Sequence, residues 1–166
     1  KMIAAIDVHY KANTATCVAV LFNWKDDLPQ QVVVEKLEGF HEYIPGEFYK
    51  RELPCILALM KKKELQEAEV LIVDGHVYTT TENFGLGGYT WEALGKKIPV
   101  IGVAKRSFHS NKDTVIEVFR GNSKNPLYVS AIGMELQKAA GFIQNMKGNY
   151  RMPTILTELD KVTKGN

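Results

Sequence analysis

Three acids, far apart along the chain, are the first residues that could do chemistry. Asp7 sits at the end of an apolar run, Met2 to Val8 (MIAAIDV), and Asp74 closes another, Val70 to Asp74 (VLIVD). Sites on open α/β sheets gather outside the carboxyl ends of the strands, which is where both acids are expected. Two carboxylates there repel each other. They become tolerable together when a divalent cation lies between them, and hard oxygen donors suit Mg2+, with Mn2+ as a substitute. Glu52, in YKRELP, precedes an expected helix and would join the pair if that helix begins at the same end of the sheet. Taken singly, each acid also has a blander use as a turn former or helix cap.

The neighbouring segments add to this. Tyr43 to Glu52 reads YIPGEFYKRE. A tight turn at Pro45 and Gly46 would project Tyr43 and Ile44 outward, as a wedge between stacked bases requires, although a plain surface turn explains Pro-Gly equally well. Val73 to His76 reads VDGH, where Gly75 permits close backbone approach to a ligand and His76 offers a hydrogen bond or a metal ligand. Gly102 to Arg106 reads GVAKR and brings Lys105 and Arg106 to the sheet edge that holds Asp74. Cations there suit phosphate, though solvated loop charges are commonplace.

The elements that must position these residues follow from hydrophobic periodicity. Met2–Val8, Ala15–Phe22 and Gln31–Leu37 read as three successive strands, an antiparallel start. Apolar residues from Leu53 to Glu67 recur at helical spacing, and Val70–Asp74 is a short buried strand. Gly85–Lys97 is expected to hold a helix whose start is blurred by Gly87 and Gly88, and Trp91 is assigned to the core. Pro99–Val103 is another buried strand, so the middle of the chain is strand, helix, strand, as parallel pairing with a crossover requires. Val115–Arg120 and Leu127–Ser130 are expected strands, and Met134–Met146 and Thr154–Val162 expected helices. The fold class is therefore α/β, a central mixed sheet with an antiparallel start flanked by helices, in a single domain over 1–166.

Composition is compatible with this and excludes little. The 166 residues are 45% hydrophobic and 24% charged, ordinary globular usage that excludes a mainly disordered or coiled-coil chain. Lys plus Arg is 21 against 19 for Asp plus Glu, a net of +2 that neither demands nor excludes a polyanionic partner. Cys17 and Cys55 lie in apolar contexts without zinc-like spacing and are expected to be buried, reduced thiols, in keeping with a cytoplasmic protein. No run approaches the length of a membrane span, and no leader or anchor is expected. A monomer without membrane association is the expectation. GLGG at Gly85–Gly88 is not followed by Lys-Ser or Lys-Thr, so it is no phosphate-binding P-loop, and no GxSxG elbow is present.

Asp7-Val8, Tyr43–Gly46 with Arg51-Glu52, Val73–His76, Gly102–Lys105 and Asn125–Leu127 occur in the order of the motifs of the endonuclease V family, which this sequence resembles over nearly its whole length. The resemblance implies a ribonuclease-H-like fold with helices on both faces of the sheet. It implies Mg2+-dependent (Mn2+ possible) hydrolysis of phosphodiester bonds in DNA or RNA near hypoxanthine, the deaminated adenine base. By motif position Asp7, Glu52 and Asp74 would hold the metal, and Lys105 would contact phosphate near the cut. Tyr43, Ile44, Pro45 and Gly46 would form the strand-separating wedge, with Gly75 and His76 lining the pocket for the extruded base.

The sequence departs from that pattern in two places. The His-Pro-Arg group expected after VDGH falls on Thr80, Thr81 and Glu82, and the Gly expected directly after VDGH is Val77. Ala131–Met134 stands where a Gly-His pair is expected. Glu82 would repel a nucleic-acid backbone if it points inward, and nothing in the spacing of His9, His41 or His109 offers a replacement. The alternative is a catalytically weak or inactive nucleic-acid-binding relative.

Overall fold

The computed structural model describes residues 2–38 and 48–165. Its strands are β1 (Met2–Lys11), β2 (Thr14–Phe22), β3 (Gln31–Glu38), β4 (Ala68–Asp74), β5 (Val100–Ala104), β6 (Ile116–Val118) and β7 (Leu127–Ile132). They form one sheet in the order β3-β2-β1-β4-β5-β7-β6. The first three strands are antiparallel, as the patterning predicts. β4 then joins β1, and β5 joins β4, both in parallel, before β7 and β6 complete an antiparallel edge. Four helices pack on this mixed sheet: α1 (Phe48–Met60), α2 (Leu86–Ala93), α3 (Leu136–Asn145) and α4 (Thr154–Gly165).

Strand alternation divides the apolar side chains between two cores. Ala4, Ile6, Ala19, Leu21, Leu71 and Val73 face Cys55, Ile56 and Leu59 of α1 and Leu86 of α2. Ile3, Ala5, Val18, Val20 and Ile72 face Ala139 and Ile143 of α3 and Ile155 and Leu159 of α4. Burial on both faces explains why β1 and β2 read as nearly continuous apolar runs. The same alternation puts Asp7 with Ile3 and Ala5, and Asp74 with Ile72, on the α4 side of the sheet. Cys17 and Cys55 are free and buried, as expected.

Several boundaries differ from the sequence reading, each for a local reason. β1 continues past Asp7 to Lys11 because β2 stays paired with it as far as Thr14, whereas pairing with β4 stops at Ile6 against Val73. Asp7 therefore lies at a split in the sheet, where parallel pairing ends. The first helix starts ahead of Leu53 and stops at Met60, and a separate 3-10 turn, Lys63–Glu67, buries Leu65. Pro54 resembles a first-turn residue, yet the helix already holds Glu52, which shares a stripe with Cys55, Ile56 and Leu59. The expected strand 115–120 contracts to β6. The 3-10 helix His109–Thr114 has no signature in periodicity and rests on buried Asn111, whose Oδ1 accepts from Phe108 N and Ser107 Oγ and whose Nδ2 donates to the Tyr78 carbonyl. Gly87 and Gly88 lie inside α2 because the helix packs too closely for side chains there: a Cβ on Gly88 would meet the Phe84 ring at 2.2 Å.

Candidate active site

One residue beyond the last parallel pair of β1 and β4 come Asp7 and Asp74, side by side on adjacent strands. α4 crosses above them and adds Asp160. These three acids and Lys105, at the end of β5, line a cavity of about 190 Å3 whose walls include Ile72, Val103, Met152, Leu156 and Leu159. Glu52 approaches from α1, the helix on the other face, at the same end of the sheet.

The electrostatics show how closely these acids are associated. Burial pushes the Asp7 carboxyl up to about 6, and Asp74 and Asp160 add to the rise, while the Val8 N–H and the Thr163 side chain oppose it. Glu52 is pushed up to about 9, first by burial and then by Asp74 and Asp7. Asp74 is also raised by desolvation, with Asp160 adding to it and Lys105, His76 and Lys164 pulling it back. Four carboxylates thus share one region that is short of positive charge. Among the described residues, no three His, Cys, Asp or Glu side chains stand close enough to enclose an ion as placed. The donor set is all-oxygen and its members lack counter-charge, which is the chemistry that fits a hard divalent cation.

A second, larger cavity of about 650 Å3 adjoins the first across the chain itself. Gly75, His76, Thr79, Asn83 and Gly85 line it, with aromatic walls from Tyr49, Phe84, Tyr89 and Phe108. Tyr49 stacks on Tyr89 at 3.8 Å, and Phe108 leans on the His76 ring at 5.0 Å. His76 is buried, 8% exposed. Its Nε2 lies 2.7 Å from the Arg106 carbonyl, and because a carbonyl only accepts, Nε2 carries the proton. Burial lowers the His76 pKa, so the ring is held neutral, with the Arg106 contact and Asp74 acting the other way. Gly75 has φ +141°, a conformation closed to most side chains, and its N–H donates to the Val103 carbonyl at 3.0 Å. Val77 N–H donates to buried Ser130 Oγ at 2.9 Å. The VDGH segment is thereby fixed against β5 and β7.

Two arginines hold the far wall. Buried Arg120 donates to the carbonyls of Met146, Gly148, Tyr150 and Arg151. Arg151 in turn donates to the carbonyls of Pro126 and Lys105. The loop that leads into α4 is thus tied to the end of β5, which sets Asp160 over Asp7 and Asp74.

A sequence profile described as Endonuclease V matches residues 1–161. The chain belongs to the endonuclease V family. An Endonuclease V from Pyrococcus abyssi is 34% identical over 98% of this chain and 79% of its own length. One from Pyrococcus horikoshii is 32% identical over 99% and 74%. The crystal structure of human ENDOV superposes with a TM-score of 0.78 at 18% identity, covering 99% of this chain and 83% of that one. Endonuclease V of Ciona intestinalis, in complex with a 24mer DNA containing an inosine followed by a ribo-adenosine, gives 0.80 at 17%, covering 99% and 85%. The fold is the ribonuclease-H-like fold of these proteins.

Within the endonuclease V framework, Asp7, Asp74 and Lys105 line one cavity, and Gly75 and His76 line the other, while Glu52 is linked to the acids by its field. Tyr43, Ile44, Pro45 and Gly46 lie outside the described residues, as does His41. Thr80, where the family motif has His, closes a local turn: its Oγ accepts from the N–H groups of Glu82 and Asn83 and from Asn83 Nδ2. Glu82 is exposed and lines neither cavity, so the inward repulsion considered above is not realised. Sequence reading missed Asp160, Thr163 and Lys164 on α4, which look like the polar face of a terminal helix. It also missed the aromatic walls Tyr49, Phe84, Tyr89 and Phe108, whose common cavity appears only once β4, α1, α2 and the 105–109 loop are brought together.

Proposed function

We propose that this chain is a metal-dependent endonuclease that hydrolyses phosphodiester bonds in DNA or RNA near deaminated, hypoxanthine-type bases, acting in nucleic-acid repair or processing. The observation that carries this reading is the adjacency of the two cavities: Asp74 lines the acidic one, and Gly75 and His76, the next two residues, line the aromatic one. A base held in the second cavity would leave its strand's phosphates beside the first. Membership of the endonuclease V family supports a nuclease, and the inosine-containing DNA bound by the Ciona relative supports the substrate class.

The residues divide the work. Asp7, Glu52 and Asp74, with Asp160, would hold Mg2+ or Mn2+. When bound, such an ion supplies Lewis-acid stabilisation of phosphate charge and an activated water. Lys105, exposed at the cavity rim, offers its ammonium to a nonbridging phosphate oxygen. The aromatic walls would take an unstacked base between π faces, as an enzyme that reads an extruded base requires. His76, kept neutral and tied to the Arg106 carbonyl, fixes the pocket floor. No helix among the described residues is long and apolar enough to cross a membrane. We place the protein as a monomer in the cytoplasm.

Loss of the His-Pro-Arg group favours a second reading, a relative that binds without cutting. One experiment separates the two. The protein is incubated with inosine-containing single-stranded and duplex oligonucleotides and Mg2+ or Mn2+. Nicks that disappear with Asp74→Asn support the nuclease, and retention of the oligonucleotide without nicks supports the binding-only relative.

A further inference from the structure

The last turn of α4 carries a cation with no counterpart among the residues assigned so far. Lys164 Nζ lies 3.0 Å from Asp160 Oδ2, an acid that lines the cavity with Asp7, Asp74 and Lys105. Asp7 and Asp74 both raise the Lys164 pKa in addition to Asp160, so its charge is felt across the site. The Lys164 side chain is 62% exposed, which leaves the ammonium free to move on its flexible stem. The need for such a group is set by charge. Four ionised carboxylates against the Lys105 and Lys164 ammonium groups leave two negative charges, which one divalent cation cancels. Without Lys164 three negative charges remain, and a second ion is favoured. The position where the family motif supplies an arginine holds Glu82, so cationic help for the phosphate must come from elsewhere.

Building on the nuclease reading above, we propose that Lys164 is a tethered cation of the acidic cavity. It neutralises Asp160 in the absence of substrate and contacts a nonbridging phosphate oxygen in its presence, so that the site takes up one divalent ion rather than two.

Mn2+ binding to the full chain, measured by calorimetry and by the loss of free-Mn2+ resonance without oligonucleotide, tests this. The wild type is expected to bind one ion. Lys164→Gln is expected to bind a second, or to bind the first more tightly by about fivefold at most, the ceiling set by an exposed ion pair. Lys164→Arg should restore the wild-type stoichiometry. Lys161→Gln, which removes an exposed lysine on the same helix paired with Glu158, should change nothing. In cleavage of an inosine oligonucleotide, Lys164→Gln should lower kcat about tenfold and leave KM within about twofold, as expected of a contact made chiefly to the reacting phosphate. Unchanged Mn2+ binding in Lys164→Gln, or two ions on the wild type, overturns this inference and leaves the nuclease reading standing. Absence of Mn2+ uptake by every protein overturns both.

Discussion

Removing divalent cations and raising the pH should destabilise this protein, with a size set by Glu52. Its carboxyl is held at about 9 in the folded chain against an ordinary 4.5. Between those values the folded state keeps a proton that the unfolded state has lost, so stability falls as pH rises, by up to about 1.4 kcal/mol per unit. Asp7, raised to about 6, acts in the same direction at lower pH. The lowered His76 opposes it, because the unfolded ring binds more protons around pH 6.5 and below. The window from pH 7 to 8.5 therefore belongs to Glu52, before the buried Cys17 thiol adds its own destabilisation. Over that interval the linkage gives about 2 kcal/mol, or about 1–2 kcal/mol once partial exposure is allowed for. The assay is the urea midpoint at pH 7.0, 7.75 and 8.5 in EDTA, repeated in excess Mg2+ and with Glu52→Gln. The decline should be present in EDTA, flattened in Mg2+ as the ion binds the ionised acids, and absent in Glu52→Gln. A flat profile in EDTA, or an equal decline in Glu52→Gln, would refute the reasoning.

Arg120→Ala should destabilise the fold by about 3–5 kcal/mol in urea unfolding, because four buried or half-buried carbonyls lose a charged donor. Arg120→Lys should recover little of this, since one ammonium cannot reproduce the planar fork. Phe108→Ala, at a residue 48% exposed over His76, should leave the urea midpoint within about 0.5 kcal/mol of wild type. The same variant should weaken retention of an inosine oligonucleotide by about 1–2 kcal/mol, read by fluorescence anisotropy. Gly75→Ala should cost about 1–3 kcal/mol in the same unfolding assay although a Cβ there meets nothing within 4 Å, because the cost lies in φ +141° and not in a clash.

The legible part of the fold was the part set by local patterning. The antiparallel start, the parallel β4 and β5 and the helices on both faces follow from period-2 runs, helical stripes and the length of the crossover, which are properties of neighbouring residues. Glu52 shows where that stops. Pro54 suggested a helix start beyond the acid, whereas the stripe Glu52, Cys55, Ile56, Leu59 places it within α1 on the core side, where burial and the two aspartates raise its pKa. Asp160 and Lys164 were illegible for a different reason. At i and i+4 on a terminal helix they match any solvated ion pair, and only the seating of α4 over the split between β1 and β4 brings them to Asp7 and Asp74. That seating depends on Arg120 and Arg151, whose partners are backbone carbonyls and so leave no trace in side-chain pairing.

The VDGH segment explains why the two cavities come as a unit. Along a regular strand, Asp74 and His76 would fall on the same face, two residues apart. Here Asp74 is the last residue of β4 and lines the cavity under α4, whereas His76 lines the pocket beside α1 and α2. The change of face takes place at Gly75, whose positive φ turns the chain while its N–H stays bonded to Val103. Ser130 Oγ then fixes Val77 on the far side of the turn. Any shift of this segment moves the acid and the base pocket together. Substitutions at Gly75 or Ser130 should therefore change binding and cleavage in concert, whereas Lys164 and Phe108, each at one cavity, should affect one and spare the other.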